Sequence, residues 1–277
     1  MLKLVIRIKD SCIIKINSYI CMIKSDKMMK FLIQKCSKQV KHDFAFTLLE
    51  AVRFNDWLLD REKIITRFIN TEYDPIEKKF TKLNFKPQHK NYVPVGSVEF
   101  VTEFIKHFYG YPVEPINIPQ ELLDFKYTKR FVFNGTEKEI VGEKFVKSND
   151  KIKSYTEIVT DNVDVPEGNY QISEVIDIDS EWRAFVYNGK LVGLKNYSGS
   201  FTLFPDVQAI MDMIGTYEHS DSAPYVYTLD VGVNTLDGTF IIEVHDFFSC
   251  GLYGFADLNL LPRMLYQWFQ EYLFIYC

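Results

Sequence analysis

Two dipeptides constrain this chain more than any other feature. Asn188-Gly189 and Asp237-Gly238 each stand between runs of alternating apolar residues. Such pairs favour the positive-φ backbone of a two-residue type I′ turn, so each marks a β-hairpin. The first hairpin joins strands over Glu181–Tyr187 and Lys190–Tyr197, the second over Tyr225–Val233 and Thr239–Val244. A two-residue loop at Asp237-Gly238 sets Asp230 opposite His245 and Gly232 opposite Glu243. Strand side chains alternate between faces, so Asp230, Glu243 and His245 share one face. Leu229, Val231, Val233, Ile242 and Val244 share the other.

The two carboxylates then become diagonal neighbours about 7–8 Å apart. At an effective dielectric of about 20 they repel by roughly 2 kcal/mol. An apolar sheet does not keep such a pair without a counter-charge. Facing open water is one resolution, and a divalent metal is the other. Hard oxygen ligands of this kind suit Mg²⁺, which completes its shell with phosphate oxygens and water. In the first hairpin, Glu181 and Arg183 share a face, and strict register puts Lys195 on the opposite one. Asp246, Ser249 and the glycines at 251 and 254 form a polar loop beside the acidic pair, and glycine permits close approach of backbone to a ligand.

The rest of the chain reads as alternating helices and strands. Phe31–Gln34 suits a buried strand. Phe46, Leu49, Val52 and Trp57 recur near helical spacing over 46–60. Asp74–Pro94 reads as a loop region rich in Pro, Asn and Lys. Ser97 is an N-cap for a helix carrying Phe100, Val101, Phe104, Ile105 and Phe108, and Gly110 closes it. Pro112, Pro115 and Pro119 punctuate a connector that marks a domain boundary. Further strands are expected at Arg130–Phe133, Lys144–Lys147 and Tyr170–Ile176, and helices at Pro205–Ile214 and Pro262–Tyr276. His42-Asp43 reads as a helix cap, with contact to a substrate as its alternative.

Composition excludes several classes. The net charge is 32 − 37 = −5, so a broad basic face for nucleic acid is not expected. No apolar run is long enough to span a membrane. The five cysteines, Cys12, Cys21, Cys36, Cys250 and Cys277, show no metal spacing and suit a reducing cytosol, so a cytoplasmic location is expected. The five histidines lack HExxH or paired-ligand spacing, and GxxxxGK[ST] and GxSxG are absent.

Four segments, "FVKSNDKIKSY" from Phe145, "YQISEVIDIDSEWRAFVYNGKLVG" from Tyr170, "YTLDVGV" from Tyr225 and "IIEVHDFFSCGLYGF" from Ile241, together resemble the ATP-grasp superfamily. The likeness is to its compact bacterial and phage clade named for a shared arginine and lysines. "MKFLIQ", "HDFAFTLLEAV" and "VPVGSVEFV" are similar to that clade's N-terminal pre-domain. The resemblance implies an α+β ATP-grasp fold, with an N-terminal α/β pre-domain followed by two β-rich lobes that sandwich ATP. The expected division is an extension over 1–27, a pre-domain over 28–128 and the ATP-grasp domain over 129–277.

The implied activity is an ATP-dependent carboxylate–amine ligase working through an acyl phosphate. ATP and Mg²⁺ are its cofactors, and its partners are a carboxylate donor and an amine acceptor (an amino acid, a peptide or a protein terminus). A role in peptide modification fits the clade. The alternative is a catalytically silent nucleotide-binding protein on the same scaffold.

The resemblance also assigns residues. Lys147 matches the strand-end lysine that contacts the phosphates or adenine. Ser173, Glu174 and Val175 match the hinge that reads the adenine edge, either Ser173 or Glu174 doing so. Glu181 matches the acidic residue on the ribose hydroxyls. Arg183 is the clade's arginine, placed to clamp a carboxylate or a transferring phosphoryl group; a structural ion pair with Glu181 is its alternative. Asp230 and Glu243 match the acidic metal ligands. His245 stands where the superfamily commonly has Asn, either in the metal set or on a phosphate or water. Asp246 points the other way unless a bulge intervenes. Ser148, Asn149 and Ser154 are candidate donors to the phosphates, and Lys195 resembles a substrate-side lysine that the register makes structural.

Overall fold

The computed structural model describes residues 28–58, 63–111, 113, 116–149, 155–160, 164–220 and 222–276. The expected extension over 1–27 lies outside them, as do Pro112, Pro115 and Ser154.

The first sheet has the order β3-β2-β1-β4. β1 (Met29–Cys36) pairs in parallel with β2 (Ile64–Asp74) and with β4 (Val93–Val95), and β3 (Lys79–Lys82) adds antiparallel to β2. Parallel neighbours need a crossover, and α1 (Asp43–Trp57) supplies it between β1 and β2. Because β1 is the inner strand, Phe31, Leu32 and Ile33 are all buried. Helix α2 (Val98–Tyr109) follows β4. Its Ser97 hydroxyl accepts from the Phe100 N–H, and Gly110 ends it at φ 78°.

Two sequence expectations fail here. The buried face of α1 is Phe44, Ala45, Leu48 and Ala51, whereas Phe46 and Trp57 are exposed. The inward stripe runs through positions 44, 45, 48 and 51, which turns Phe46 and Trp57 outward. The stretch 74–94 is not loop throughout, since it holds β3 and leads into β4. β3 is short and charged and sits at the sheet edge, a position that apolar periodicity does not report.

The second sheet is antiparallel with the order β10-β9-β11-β12. Its strands are β9 (Ser180–Tyr187), β10 (Lys190–Gly199), β11 (Val226–Asn234) and β12 (Gly238–Asp246). One face is covered by α4 (Val207–Glu218), which follows the single turn α3 (Phe125–Thr128) in chain order. There Ile210, Met213 and Ile214 pack with Trp182, Ala184, Leu229, Val231 and Val244. The third sheet, β5-β8-β6-β7, comprises β5 (Val132–Thr136), β6 (Lys144–Ser148), β7 (Thr156–Val159) and β8 (Asn169–Ser173). Its core among the described residues is small: Val146, Val159, Tyr170 and Ile172.

The last helix, α5 (Leu261–Tyr276), packs Leu261, Met264, Trp268 and Phe269 into the core of the first sheet. Phe185, Phe247 and Phe255 join the same core. The expected boundary connector and the residues after it are buried at Val113, Asn117, Ile118 and Leu122. The Asn117 carbonyl accepts from the Val244 N–H, and the Gln171 side chain bonds both the Ile118 N–H and its carbonyl. This segment therefore stitches β12 to β8. No described helix is long and apolar enough to cross a membrane.

The inward face of α1 can be checked directly. Leu48→Ala is expected to cost about 2–5 kcal/mol in urea unfolding. Phe46→Ala should stay within about 0.5 kcal/mol, and equal losses would refute the observed face.

Candidate active site

Asn188 and Gly189 form a two-residue turn with φ 49° and 67°, as the sequence predicts. The second hairpin departs from expectation. Asn234 pairs with Gly238, so Thr235, Leu236 and Asp237 make a three-residue loop. The Asn234 side chain accepts from the Leu236 and Asp237 N–H groups, and Gly238 takes the left-handed position at φ 75°. A side-chain acceptor within the turn stabilises it more than the Asp-Gly pair alone does.

That loop by itself would turn Asp230 and Glu243 to opposite faces. A β-bulge at Ile242 reverses the parity, because Val231 pairs with Ile241 but Asp230 pairs with Glu243. Asp230, Glu243 and His245 thus share a face, with the carboxylates directly opposite instead of diagonal. Thr228 lies opposite His245. Asp246 pairs with Tyr227 and stays on the other face.

A second bulge, at Val192, moves Lys195 opposite Arg183. The expectation of Lys195 on the far face is therefore wrong. Since Arg183 also pairs with Asp230 across β9 and β11, one row crosses the sheet: Lys195, Arg183, Asp230, Glu243. Two cations precede two anions.

Counter-charges settle the acidic pair. Arg183 donates Nε to Asp230 Oδ1 at 2.8 Å and Nη2 to Oδ2 at 2.7 Å. The two side chains are 8% and 3% exposed, so this fork is almost dry. Burial opposes the charge of Arg183, but the hydrogen-bonded Asp230 outweighs it and raises the guanidinium pKa. The alternative partner Glu181 is not used; it accepts from the Tyr197 hydroxyl at 2.8 Å. Burial, with Asp230 and Glu181 nearby, pushes the Tyr197 phenol up. Glu243 pairs with Lys147 of β6, which ties the second sheet to the third, and it also contacts His245 Nε2.

Further residues complete the wall. The Gly251 carbonyl accepts from Arg183 Nη1 at 3.1 Å, and the rings of Tyr253 and Tyr197 lie 5.2 and 5.7 Å from the guanidinium. Arg130 is buried against the Thr128 and Ile241 carbonyls, and burial lowers it to about 10. Sequence reasoning missed Tyr197, Tyr253, Arg130 and Asn117. Only the bulges and loops bring them near, and no periodic signal marks them.

The hinge residues divide. Ser173 is buried with its hydroxyl unpartnered among the described residues, and Val175 is partly exposed. Glu174 instead accepts from the Phe131 N–H, while its own N–H donates to the Phe131 carbonyl. Ser148 and Asn149 are used as acceptors, which leaves their own O–H and N–H groups able to donate. The Ser148 hydroxyl accepts from the Tyr155 N–H, and Asn149 accepts from the Asn117 amide.

Ligand atoms of Asp230, Glu243 and His245 lie within 4.8 Å of one another. A carboxylate oxygen keeps acceptor capacity after one hydrogen bond, so both acids can still offer oxygens to a hard cation. The donor set fits Mg²⁺ through Asp230 and Glu243, with His245 the poorest match of the three.

Residues 127–261 match the family model of an ATP-grasp domain, family 2 of the clade named for a shared arginine and lysines. This segment is thus similar to an ATP-grasp domain, and the three sheets and flanking helices of the chain form an α+β fold. No curated protein matches it. Among solved structures, D-alanine–D-alanine ligase from Bacillus anthracis complexed with ATP is 12% identical, with 90% of this chain and 98% of that chain covered at a TM-score of 0.46. VanG D-Ala:D-Ser ligase from Enterococcus faecalis is 10% identical over 91% and 100%, also at 0.46. N5-carboxyaminoimidazole synthetase from Staphylococcus aureus is 9% identical over 80% and 71%, at 0.47.

Removing one member of a buried ion pair leaves a bare charge. Asp230→Ala is expected to cost about 3–5 kcal/mol in denaturant unfolding. The double variant Arg183→Met/Asp230→Leu should lose clearly less than that. A double variant as unstable as the single would show that the pair is not what holds this face.

Proposed function

We propose that the chain is an ATP-dependent carboxylate–amine ligase. The observation that carries this reading is the row Lys195, Arg183, Asp230, Glu243, with Lys147 reaching Glu243 from the facing sheet. It lies within the segment that matches the ATP-grasp domain. In this reading residues 28–128 are the pre-domain and 129–277 the ATP-grasp domain.

The chemistry balances in two steps. A substrate carboxylate oxygen attacks the γ-phosphorus of ATP, giving an acyl phosphate and ADP. An amine then attacks the acyl carbon, phosphate leaves, and the amine proton passes to solvent. Mg²⁺ held by Asp230 and Glu243 would neutralise phosphate charge. Lys147 would exchange Glu243 for phosphate oxygens, which it pairs with as a point charge. Arg183 holds Asp230 in place and offers its remaining donor edge to the transferring group. Glu181 is assigned to the ribose hydroxyls, and Ser173, Glu174 and Val175 to the adenine edge. For Glu174 that leaves the backbone carbonyl, since its carboxylate and its N–H both bond Phe131.

A catalytically silent nucleotide-binding protein is the second reading. It is favoured by His245 in the metal set.

Calorimetry with ATP and Mg²⁺ against ATP and EDTA comes first, and Mg-dependent binding is expected. ADP release is then screened across amino-acid and peptide acceptors. Glu243→Ala should abolish that release, and unchanged release would sink the metal assignment. Lys147→Ala should raise the ATP dissociation constant about tenfold, a loss of roughly 1.4 kcal/mol; an unaltered constant counts against its role. ATP binding without turnover for any acceptor supports the silent reading.

A further inference from the structure

The chain between β12 and α5 belongs to two surroundings at once. Phe247, Cys250, Leu252 and Phe255 are buried in the core of the first sheet. Gly251 and Tyr253, interleaved with them, face the charged row. The Gly251 carbonyl accepts a hydrogen bond from Arg183 Nη1, and the Tyr253 ring stacks on Tyr197 at 5.1 Å.

Its backbone does not hold this shape unaided. Ser249 and Tyr253 sit in the left-handed region at φ 51° and 48°. Residues other than glycine enter that region at a cost of about 1–3 kcal/mol each, so surrounding contacts must fix them.

Those contacts come from the first sheet. Asp43 Oδ2 accepts from the Leu252 N–H at 2.7 Å and the Tyr253 N–H at 3.3 Å. Its Oδ1 accepts from the Phe44 N–H at 2.7 Å, which fastens the same carboxylate to the start of α1. The Ser249 hydroxyl donates to the Gly96 carbonyl at 2.7 Å, just before α2. The expected side-chain cap is absent: His42 at the N-cap position makes no cap bond, and Asp43, the first helical residue, takes the Phe44 N–H.

We propose that Asp43 is a positioning residue for the active site. It acts through the backbone of residues 252 and 253 on the Gly251 carbonyl and the Tyr253 ring, and so on the Arg183 guanidinium. The first sheet then sets the substrate-side wall of the charged row. What that wall serves rests on the ligase reading, but the placement of the loop does not.

Cys250 gives a built-in probe. Burial pushes its thiol up to about 12. With the thiolate disfavoured and the residue buried, labelling of Cys250 reports opening of the loop. Full-length protein is treated with a maleimide at pH 8, and labelling at Cys250 is resolved from the other cysteines by peptide mass spectrometry. Three variants are compared with the unaltered chain: Asp43→Ala, Asp43→Asn and, as a control, Ile69→Ala. The control weakens the same core from β2 without removing a loop anchor.

At matched unfolding free energy, Asp43→Ala should label Cys250 about tenfold faster than Ile69→Ala, because it opens the loop locally. Asp43→Asn should fall between, since an amide accepts at one end only. Should Asp43→Ala fold poorly, Asp43→Asn against the control gives the same comparison. Equal labelling in the Asp43 variants and the control would overturn the proposal. The measurement needs no nucleotide, so failure of Mg-ATP binding would sink the ligase reading and leave this result standing.

Discussion

Burying a carboxylate costs several kcal/mol of lost hydration, and at Asp230 that cost is offset by one bidentate guanidinium. Much of the site follows from this fork. Arg183 is drawn to the central strands β9 and β11, which places its third donor on Gly251. The Gly251 carbonyl pulls the loop after β12 over the sheet, and Tyr253 and Tyr197 close on the guanidinium faces. Asp230 cannot turn away from this row, so Glu243 beside it needs its own cation. Lys147 supplies that charge from the facing sheet. The union of the second and third sheets at this point is thus electrostatic, and an ion pair between sheets is the kind of contact a charged ligand can replace.

Two bulges make the row possible. Without the extra residue at Ile242, the three-residue turn would send Glu243 into the apolar face under α4. Without the one at Val192, Lys195 would face that way too. Each bulge breaks some ladder pairing, and each lies beside the charged row, where re-aiming a side chain matters most. The same region holds the left-handed backbone at Ser249 and Tyr253. Irregular backbone occurs elsewhere too, at Ser37, Lys38 and Lys78 among others, while β11 is buried along its whole length.

Much of this was legible in the residues. Ser97 and Gly110 bound α2 as written, because caps are read from single side chains. The Asn188-Gly189 turn took its expected form, since only certain residues tolerate two positive φ values in succession. The shared face of Asp230, Glu243 and His245 also held, although by a different register from the one expected. Two deviations cancelled there: a longer turn and a bulge. The same arithmetic failed for Lys195, where a bulge acted alone. Parity reasoning is only as good as the count of inserted residues, and nothing in the residue types at Val192 or Ile242 announces an insertion.

Residue order by itself determined both hairpins, the strands β1, β5, β6 and β8 in outline and the long helices, though not β2, β3, β4 or β7. It also determined the acidic pair and the need for a counter-charge near it. These depend on periodicity, turn chemistry and charge, which are local. Tertiary structure alone decided which cation answers which acid. Arg183 went to Asp230 instead of Glu181, and Lys147 crossed from another sheet to Glu243, because pairing follows distance in the folded chain. It also decided that Asp43, some two hundred residues away in sequence, holds the loop at Leu252 and Tyr253. Contacts of that range are made by packing the first sheet against the second, and no local pattern encodes them.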